Sequence, residues 1–424
     1  MALWAIVFSA FIAAPARAAD GSGSGDTAWV LAASALVLFM TLPGLALFYG
    51  GLLRARNLLS VVMHCFVCCC VVSVLWVAIG YSLAFAHGGP LIGGLGRVFL
   101  AHVAAAGVPG GLPESAFVLF QMTFAVITPA LIVGAFAERV SFPFLLLFVA
   151  LWLLVVYVPV AHWVWGRGWL AADGTVDFAG GIVVHTTAGV SALIACIMIG
   201  PRRGFPNNLT PPHSPGMTMA GAGMLWVGWF GFNGGSALAA NASAAMAIIA
   251  THVAAAAAAM TWMAIEWLYV KKPTSVGLVT GCVAGLATVT PASGFIGPAG
   301  GVVIGMAGAA VCFWASGVIK KRLLIDDTLD VFAVHGVGGM LGSILVAVFA
   351  LPLLGGVGYA RGMSLMTQLE AQGLGVAAAA AWSALATFLL IKLIGTVVPL
   401  RVVAEQEYEG LDLAIHGEHA YDHS

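Results

Sequence analysis

Charge is what this sequence has least of. Asp, Glu, Lys and Arg together make up 8% of its 424 residues, against 61% hydrophobic residues. So few charges cannot cover a water-facing surface, and a soluble globular domain is excluded. The 16 Lys and Arg are matched by 17 Asp and Glu for a net charge of −1, which leaves no basic face for nucleic acid. Polar loops lack cysteine: Cys65, Cys68, Cys69, Cys70, Cys196, Cys282 and Cys312 all fall in apolar runs. A disulfide framework is therefore not expected. His64 and Cys65 with the next three cysteines have metal-like spacing, but they share one apolar run rather than a knuckle, so inert packing is the reading. No nucleophile–base pair stands out either, which argues against an enzyme, and no cofactor is expected.

What the chain has is apolar length. Repeated runs of 18 or more mostly apolar residues imply a polytopic helical membrane protein in a lipid bilayer, and 54 glycines suit close helix packing there. Residues 2–14 form a run too short to span, ending in Ala16-Arg17-Ala18. This reads as a signal peptide over 1–19, cut near Ala18 or Ala19, although no basic residue precedes the run. Eleven spans follow, at about 27–50, 58–86, 116–137, 143–163, 179–200, 217–239, 244–270, 275–292, 297–318, 328–352 and 372–398. With the mature N-terminus outside, the cytoplasmic connections carry eleven Lys or Arg and the outer ones only Arg97, Arg167 and Arg361. That bias orients the chain outside-in, with its C-terminus in the cytoplasm.

Two histidines inside these runs recur at matched spacing. Asp177 stands eight residues before His185 and Gly189 four after it; Asp327, His335 and Gly339 repeat the pattern. If each Asp marks a helix end, each histidine lies roughly 12 Å into the membrane. Entering from opposite faces of a layer about 30 Å thick, the two rings come into contact near mid-depth. His185 falls in span five and His335 in span ten, so each closes a block of five spans. The second block is then inverted, which is a transporter habit. Phe48-Tyr-Gly-Gly51 in span one and Phe232-Asn-Gly-Gly235 in span six echo each other in the same way. The fold class is all-α, with eleven transmembrane helices in an inverted five-plus-five repeat. The membrane domain covers 20–400 (repeat one about 27–200, repeat two about 217–352, last helix about 372–398), followed by a cytoplasmic tail over 401–424.

Other residues carry two readings. A lone membrane histidine is commonly glue between helices; a matched pair favours a shared role, since one imidazole nitrogen can donate to the other. A zinc site lacks a third ligand at that depth, so no metal is expected. Phe120, Phe124, Trp163, Trp165, Trp229, Phe230 and Phe232 gather at outer ends, either as an aromatic belt or as a cage for a small cation. Ser236 would add a hydroxyl acceptor to such a mouth. Asp177 reads as a helix cap that also supplies negative potential. Asp330 and Glu266 look like buried structural carboxylates. The alanine runs at 254–259 and 376–381 read as packing surfaces, and His416, His419 and His423 as solvated tail residues. In the tail, Gly410-Leu411-Asp412 among acidic residues suggests a turn with one apolar anchor. Its carboxylates would reach Arg202-Arg203, Lys271-Lys272 and Lys320-Lys321-Arg322.

The chain resembles the ammonium transporter (Amt/Mep/Rh) family over essentially its whole mature length. The resemblance rests on FQMTFAVITPALIVGAFAERVSF (120–142), AHWVWG (161–166), DFAGGIVVH (177–185), WFGFNGGSA (229–237), ATVTPASGF (287–295), DDTLDVFAVHGVGG (326–339) and EYEGLDLAIHGEHAY (407–421). Trp165 and Ser236 together are similar to the bacterial Amt branch. The resemblance implies an external ammonium site at Trp165, Phe124 and Ser236, supported by Asp177, above a gate of Phe124 and Phe232. It also implies a twin-histidine pore at His185 and His335, ammonium, ammonia and methylammonium as substrates, a homotrimer in the inner cell membrane, and a PII-type regulatory protein docking on the tail. Ammonium and potassium are similar in size, but only ammonium can shed a proton and cross an apolar pore as ammonia. Uptake is the expected function, with a sensor that signals through its tail as the alternative. A tail of some 25 residues leaves no room for a fused signalling domain.

Overall fold

The computed structural model describes residues 23–103, 107 and 111–421. The expected signal peptide lies outside them, as does His423. The described residues form helices with no strand beyond two isolated bridges. Among the described residues nine helices are long and apolar enough to cross a membrane. They are α1 (Ser24–Leu52), α2 (Ala55–Phe85), α3 (Glu114–Phe136), α4 (Phe142–Ala172), α5 (Gly181–Ile199), α7 (Ala242–Val270), α9 (Pro298–Arg322), α10 (Phe332–Phe349) and α11 (Leu365–Ile394). At the two remaining expected positions stand α6 (Pro215–Trp229), which runs on into Phe230–Gly234, and the short α8 (Ser275–Val289). Length alone separates α8 from the rest: its 15 residues reach only about 22 Å.

Side chains written next to each helix start explain where several begin. Ser141, Ser214, Asn241, Thr274 and Ser364 each accept a backbone N–H three residues on, opening α4, α6, α7, α8 and α11. Pro215 and Pro298 occupy first-turn positions where a missing N–H costs nothing. Several helices then widen into π-turns, among them Met40–Leu45 around Pro43, Gly181–Thr186, Phe230–Gly234 and Phe332–Val337. Such bulges rotate side chains off the regular helical face. Three of the four carry His185, Phe232 and His335.

Two glycines set how closely the halves approach. A Cβ on Gly339 of α10 would stand 2.6 Å from the Cβ of His185, and one on Gly189 of α5 would run into the backbone at Gly336. Each glycine thus admits the histidine turn of the opposite half, which no larger residue allows.

Below this crossing one end of the helix bundle is tied by ions. Glu138 accepts from Arg54 at 3.1 Å and pairs with Arg202 at 3.2 Å, and Asn57 Nδ2 donates to it at 2.8 Å. Arg202 also grips Asp326 at 2.8 Å, and the fully buried Arg139 donates to Thr328 and to the Asp326 carbonyl. Burial opposes ionisation of Glu138 and Asp326, yet the arginines outweigh it and hold both carboxyls below their usual range.

The tail folds back as α12 (Ala404–Glu409) and α13 (Leu411–His416). Leu411 is 1% exposed, and Asp412 accepts from the N–H groups of Leu59 and Ser60 at the start of α2. Glu407 takes Arg401 at 2.7 Å and the N–H of Arg203, while Tyr408 lies between the guanidiniums of Arg56 and Arg203. The tail therefore meets the α1–α2 connection and Arg203, not the lysine connections that charge alone suggested. Lys271 is turned onto the carbonyl of Leu268, and Lys320 pairs with Asp330. His416 is half-buried rather than solvated: its ring meets Phe142 at 5.4 Å. His419 is exposed.

Candidate functional site

Asp177 organises one end of the site. Its two carboxylate oxygens accept from the N–H groups of Gly180, Gly181, Ile182 and Val183 at 2.7–3.0 Å, and so satisfy the whole first turn of α5. Gly180 makes the entry possible with φ of 114°, a conformation costly for any side chain with a Cβ. The carbonyl of Asp177 accepts from Trp165 Nε1 at 2.8 Å, which fixes the indole across the mouth. A cavity of about 320 Å³ opens here, lined by Gln121, Phe124, Trp165, Asp177, Ser236 and other apolar residues. Phe124 stands edge-on to Trp165 at 5.8 Å. Ser236 donates its proton to the Phe232 carbonyl at 2.8 Å, so its oxygen lone pairs stay open toward the cavity.

The cavity floor is the ring pair Phe124 and Phe232, with centroids 4.2 Å apart. Beneath it lies a second, narrow space of about 10 Å³, walled by Met40, Leu45, Ile127, Leu225 and both histidines. His185 and His335 are 1% and 4% exposed, and their Nδ1 atoms meet at 3.2 Å. One ring must donate and the other accept, so the pair holds a single proton between two nitrogens. His185 Nε2 is buried with no partner among the described residues, a polar atom set in apolar surroundings. On α10, Asp327 accepts from Val331 and Phe332, a partial copy of what Asp177 does on α5.

The seven residues expected at the site line one path: Trp165, Phe124, Ser236 and Asp177 at the mouth, Phe232 below, then His185 with His335. Other sequence readings divide. Trp229 lies under the mouth rather than in it, stacked on His185 at 5.6 Å with Nε1 on Thr290. Trp163 is tied to the Leu91 carbonyl, and Phe230 turns outward against His252. Phe48 lines the narrow space from α1, as Phe232 does from α6, matching the FYGG and FNGG echo. Gln121, one turn before Phe124, was legible only through that spacing; its Oε1 is buried without a partner among the described residues. Glu266 and Asp330 are half-buried and remote from the path, on Thr274 and Lys320 respectively. Among the described residues no group of three or more His, Cys, Asp and Glu could hold a metal ion.

The chain is similar to known proteins in sequence and in fold. A model of the Ammonium Transporter Family matches residues 28–421. An ammonium transporter of Bacillus subtilis (strain 168) is 45% identical over 409 residues, covering 94% of this chain and 99% of the relative. One from Aquifex aeolicus (strain VF5) is 45% identical over 424 residues, covering 98% and 97%. Among solved structures, a protein described as Sensor Amt Protein superposes with a TM-score of 0.87 at 33% identity, over 93% of this chain and 98% of that one. Candida albicans Mep2 does so with a TM-score of 0.83 at 34% identity, over 90% and 87%.

Proposed function

The chain belongs to the ammonium transporter family, and on that footing we propose how it moves its substrate. It is a multi-pass membrane protein and not an enzyme. Ammonium enters from outside and rests in the mouth against the faces of Trp165 and Phe124, where cation–π attraction replaces lost water. The open lone pairs of Ser236 accept one of its protons, and Asp177 supplies negative potential from behind. The cation then gives up a proton, because carrying an intact charge through the narrow apolar space is too costly. Ammonia passes the Phe124–Phe232 pair, and the His185–His335 pair relays the proton.

The observation that carries this reading is the buried imidazole contact at 3.2 Å, set in an otherwise apolar channel. It is the single feature that bland packing does not require. We further propose that α6 and α8 also cross, giving eleven crossings with the N-terminus outside. The chain works as a homotrimer in the cell membrane, and the docked tail presents a surface to a PII-type regulator. The test is current from reconstituted liposomes. Ammonium and methylammonium should give inward current while sodium and potassium stay at background; equal potassium current would overturn proton separation.

A further inference from the structure

Helix α11 lies outside the two five-helix blocks expected from the sequence, yet the start of its buried face meets the segment that leads into Asp177. Gln368, Ala371, Gln372 and Gly375 fall on one side of the helix at three- and four-residue spacing. Gln372 is fully buried; its Oε1 accepts the N–H of Val176 at 2.8 Å, and its Nε2 donates to the carbonyl of the same residue at 2.8 Å. It thus pairs with Val176 as a neighbouring strand would. The second Nε2 proton goes to the Ser343 carbonyl of α10 at 2.7 Å, and Gln368 Nε2 donates to Oε1 at 3.2 Å. Every donor and acceptor of this amide is used, and partners that can only donate or only accept fix its orientation.

The bonds continue along the segment. Gln368 Nε2 also donates to the Gly174 carbonyl at 3.0 Å, and Thr175 Oγ1 donates to the Ala371 carbonyl at 2.9 Å. A Cβ on Gly375 would stand 2.6 Å from Thr175 Cγ2, so glycine lets the two segments close. Residues 174–176 are therefore held by α11 one after another. The next residue is Asp177, whose carboxylate caps α5 and whose carbonyl carries Trp165 Nε1. The approach to Asp327 is held differently, by the buried guanidinium of Arg139 on the Asp326 carbonyl and Thr328. A cation in that role beside the mouth would oppose the negative potential of Asp177; an amide makes equivalent bonds without charge.

We propose that Gln372, with Gln368, is a positioning residue for substrate capture: α11 braces 174–176 so that the Asp177 carbonyl holds the Trp165 indole against the cation. This rests on the capture reading above and names what fixes its geometry. An indole freed from its acceptor presents its face to the cation only part of the time, which weakens capture. The deeper steps run over Phe124, Phe232, His185 and His335, whose side chains form no hydrogen bond with α11 among the described residues.

The test is methylammonium uptake by the full-length protein in liposomes, read as half-saturation and maximal rate. Gln372→Met keeps the length of the side chain but none of the amide bonds. Its half-saturating concentration should rise about tenfold while the maximal rate stays within about twofold. Fluorine NMR of protein labelled with fluorotryptophan reads the indole directly, with lines assigned through Trp165→Phe and Trp382→Phe. The Trp165 line should move in Gln372→Met, while that of Trp382, further along α11 on the Val155 carbonyl, stays. A maximal rate that falls at unchanged half-saturation, or a Trp165 line that stays, marks a merely structural role and overturns the proposal. Movement of both lines marks a shift of the whole helix and overturns it too. Where Gln372→Met does not insert, Gln368→Met, which removes only the flanking bonds, must show the same split at about threefold; half-saturation equal to the parent's there overturns the brace. Trp165→Leu separates the two readings. If it leaves half-saturation unchanged, capture at the mouth fails and the brace with it; if it raises half-saturation while Gln372→Met does not, the brace alone fails.

Discussion

Asp177 shows how one side chain can carry structure and charge together. Capping alone suggested that asparagine could stand in for it. The geometry argues otherwise, because both oxygens are used and each accepts two N–H groups. Asparagine offers one acceptor oxygen, so two donors of the α5 first turn lose their partner, at about 1–3 kcal/mol each. Asp177→Asn should thus lower both thermal stability and methylammonium uptake. A variant as stable as the parent but inactive would assign Asp177 to electrostatics alone. His185 behaves differently, since its neighbours are rings and aliphatic walls. A carboxylate there would place a fixed charge at mid-depth and lower the barrier for an undissociated cation. His185→Asp should therefore pass potassium in the liposome assay; background potassium current in a folded variant would count against proton separation.

Helices α5 and α10 meet where each presents a glycine to the other's histidine turn. Adding a side chain at Gly339 should push the turns apart and break the Nδ1 contact, because the closest atom is the Cβ of His185 on a packed helix. Gly339→Val is expected to cut methylammonium uptake by about tenfold or more while leaving the protein inserted. Uptake within twofold of the parent would show that the crossing tolerates the extra volume. The tail elements are held by fewer contacts. Asp412 completes the start of α2 from a distant part of the chain, so Asp412→Ala should cost about 1 kcal/mol of docking. Limited proteolysis would then cut 405–421 faster than in the parent, and an unchanged rate would mean that Leu411 and Tyr408 suffice.

Taken together, the end of the bundle where the tail docks is a charge lattice and the interior is nearly free of charge. Glu138 and Asp326 are favoured in their ionised forms by the folded chain. Their stabilisation is complete above the ordinary carboxylate pKa of about 4 and is lost as pH falls through the lower folded values. Thermal unfolding should therefore be flat from pH 7 to 5 and fall below pH 4. A midpoint that drops already between pH 7 and 5 would point to histidine instead. This lattice joins the α1–α2 connection, the end of α3 and the entry to α10, so its loosening should also release the tail.

Much of this was readable before any coordinates. Apolar runs dictate membrane helices because lipid leaves the backbone no other partner, and the Asp–His–Gly spacing placed two rings at one depth. The residues named for the mouth came from the family resemblance, while their types alone fitted an aromatic belt as well as a cage. Spacing along a helix could not show, however, that three of these side chains sit in π-turns, which rotate them by an amount no regular period predicts. Nor could it show where the tail lands. Charge favoured every basic connection equally, and the choice fell to the shape of the α1–α2 connection, where Asn57, Leu59 and Ser60 offer backbone and amide partners. Trp229 was misplaced for a like reason: its neighbours in sequence face the mouth, but the bulge turns its ring under them, onto His185. Pattern settles which residues are buried; the rotation of each turn and the meeting of distant segments depend on packing, which a linear chain does not display.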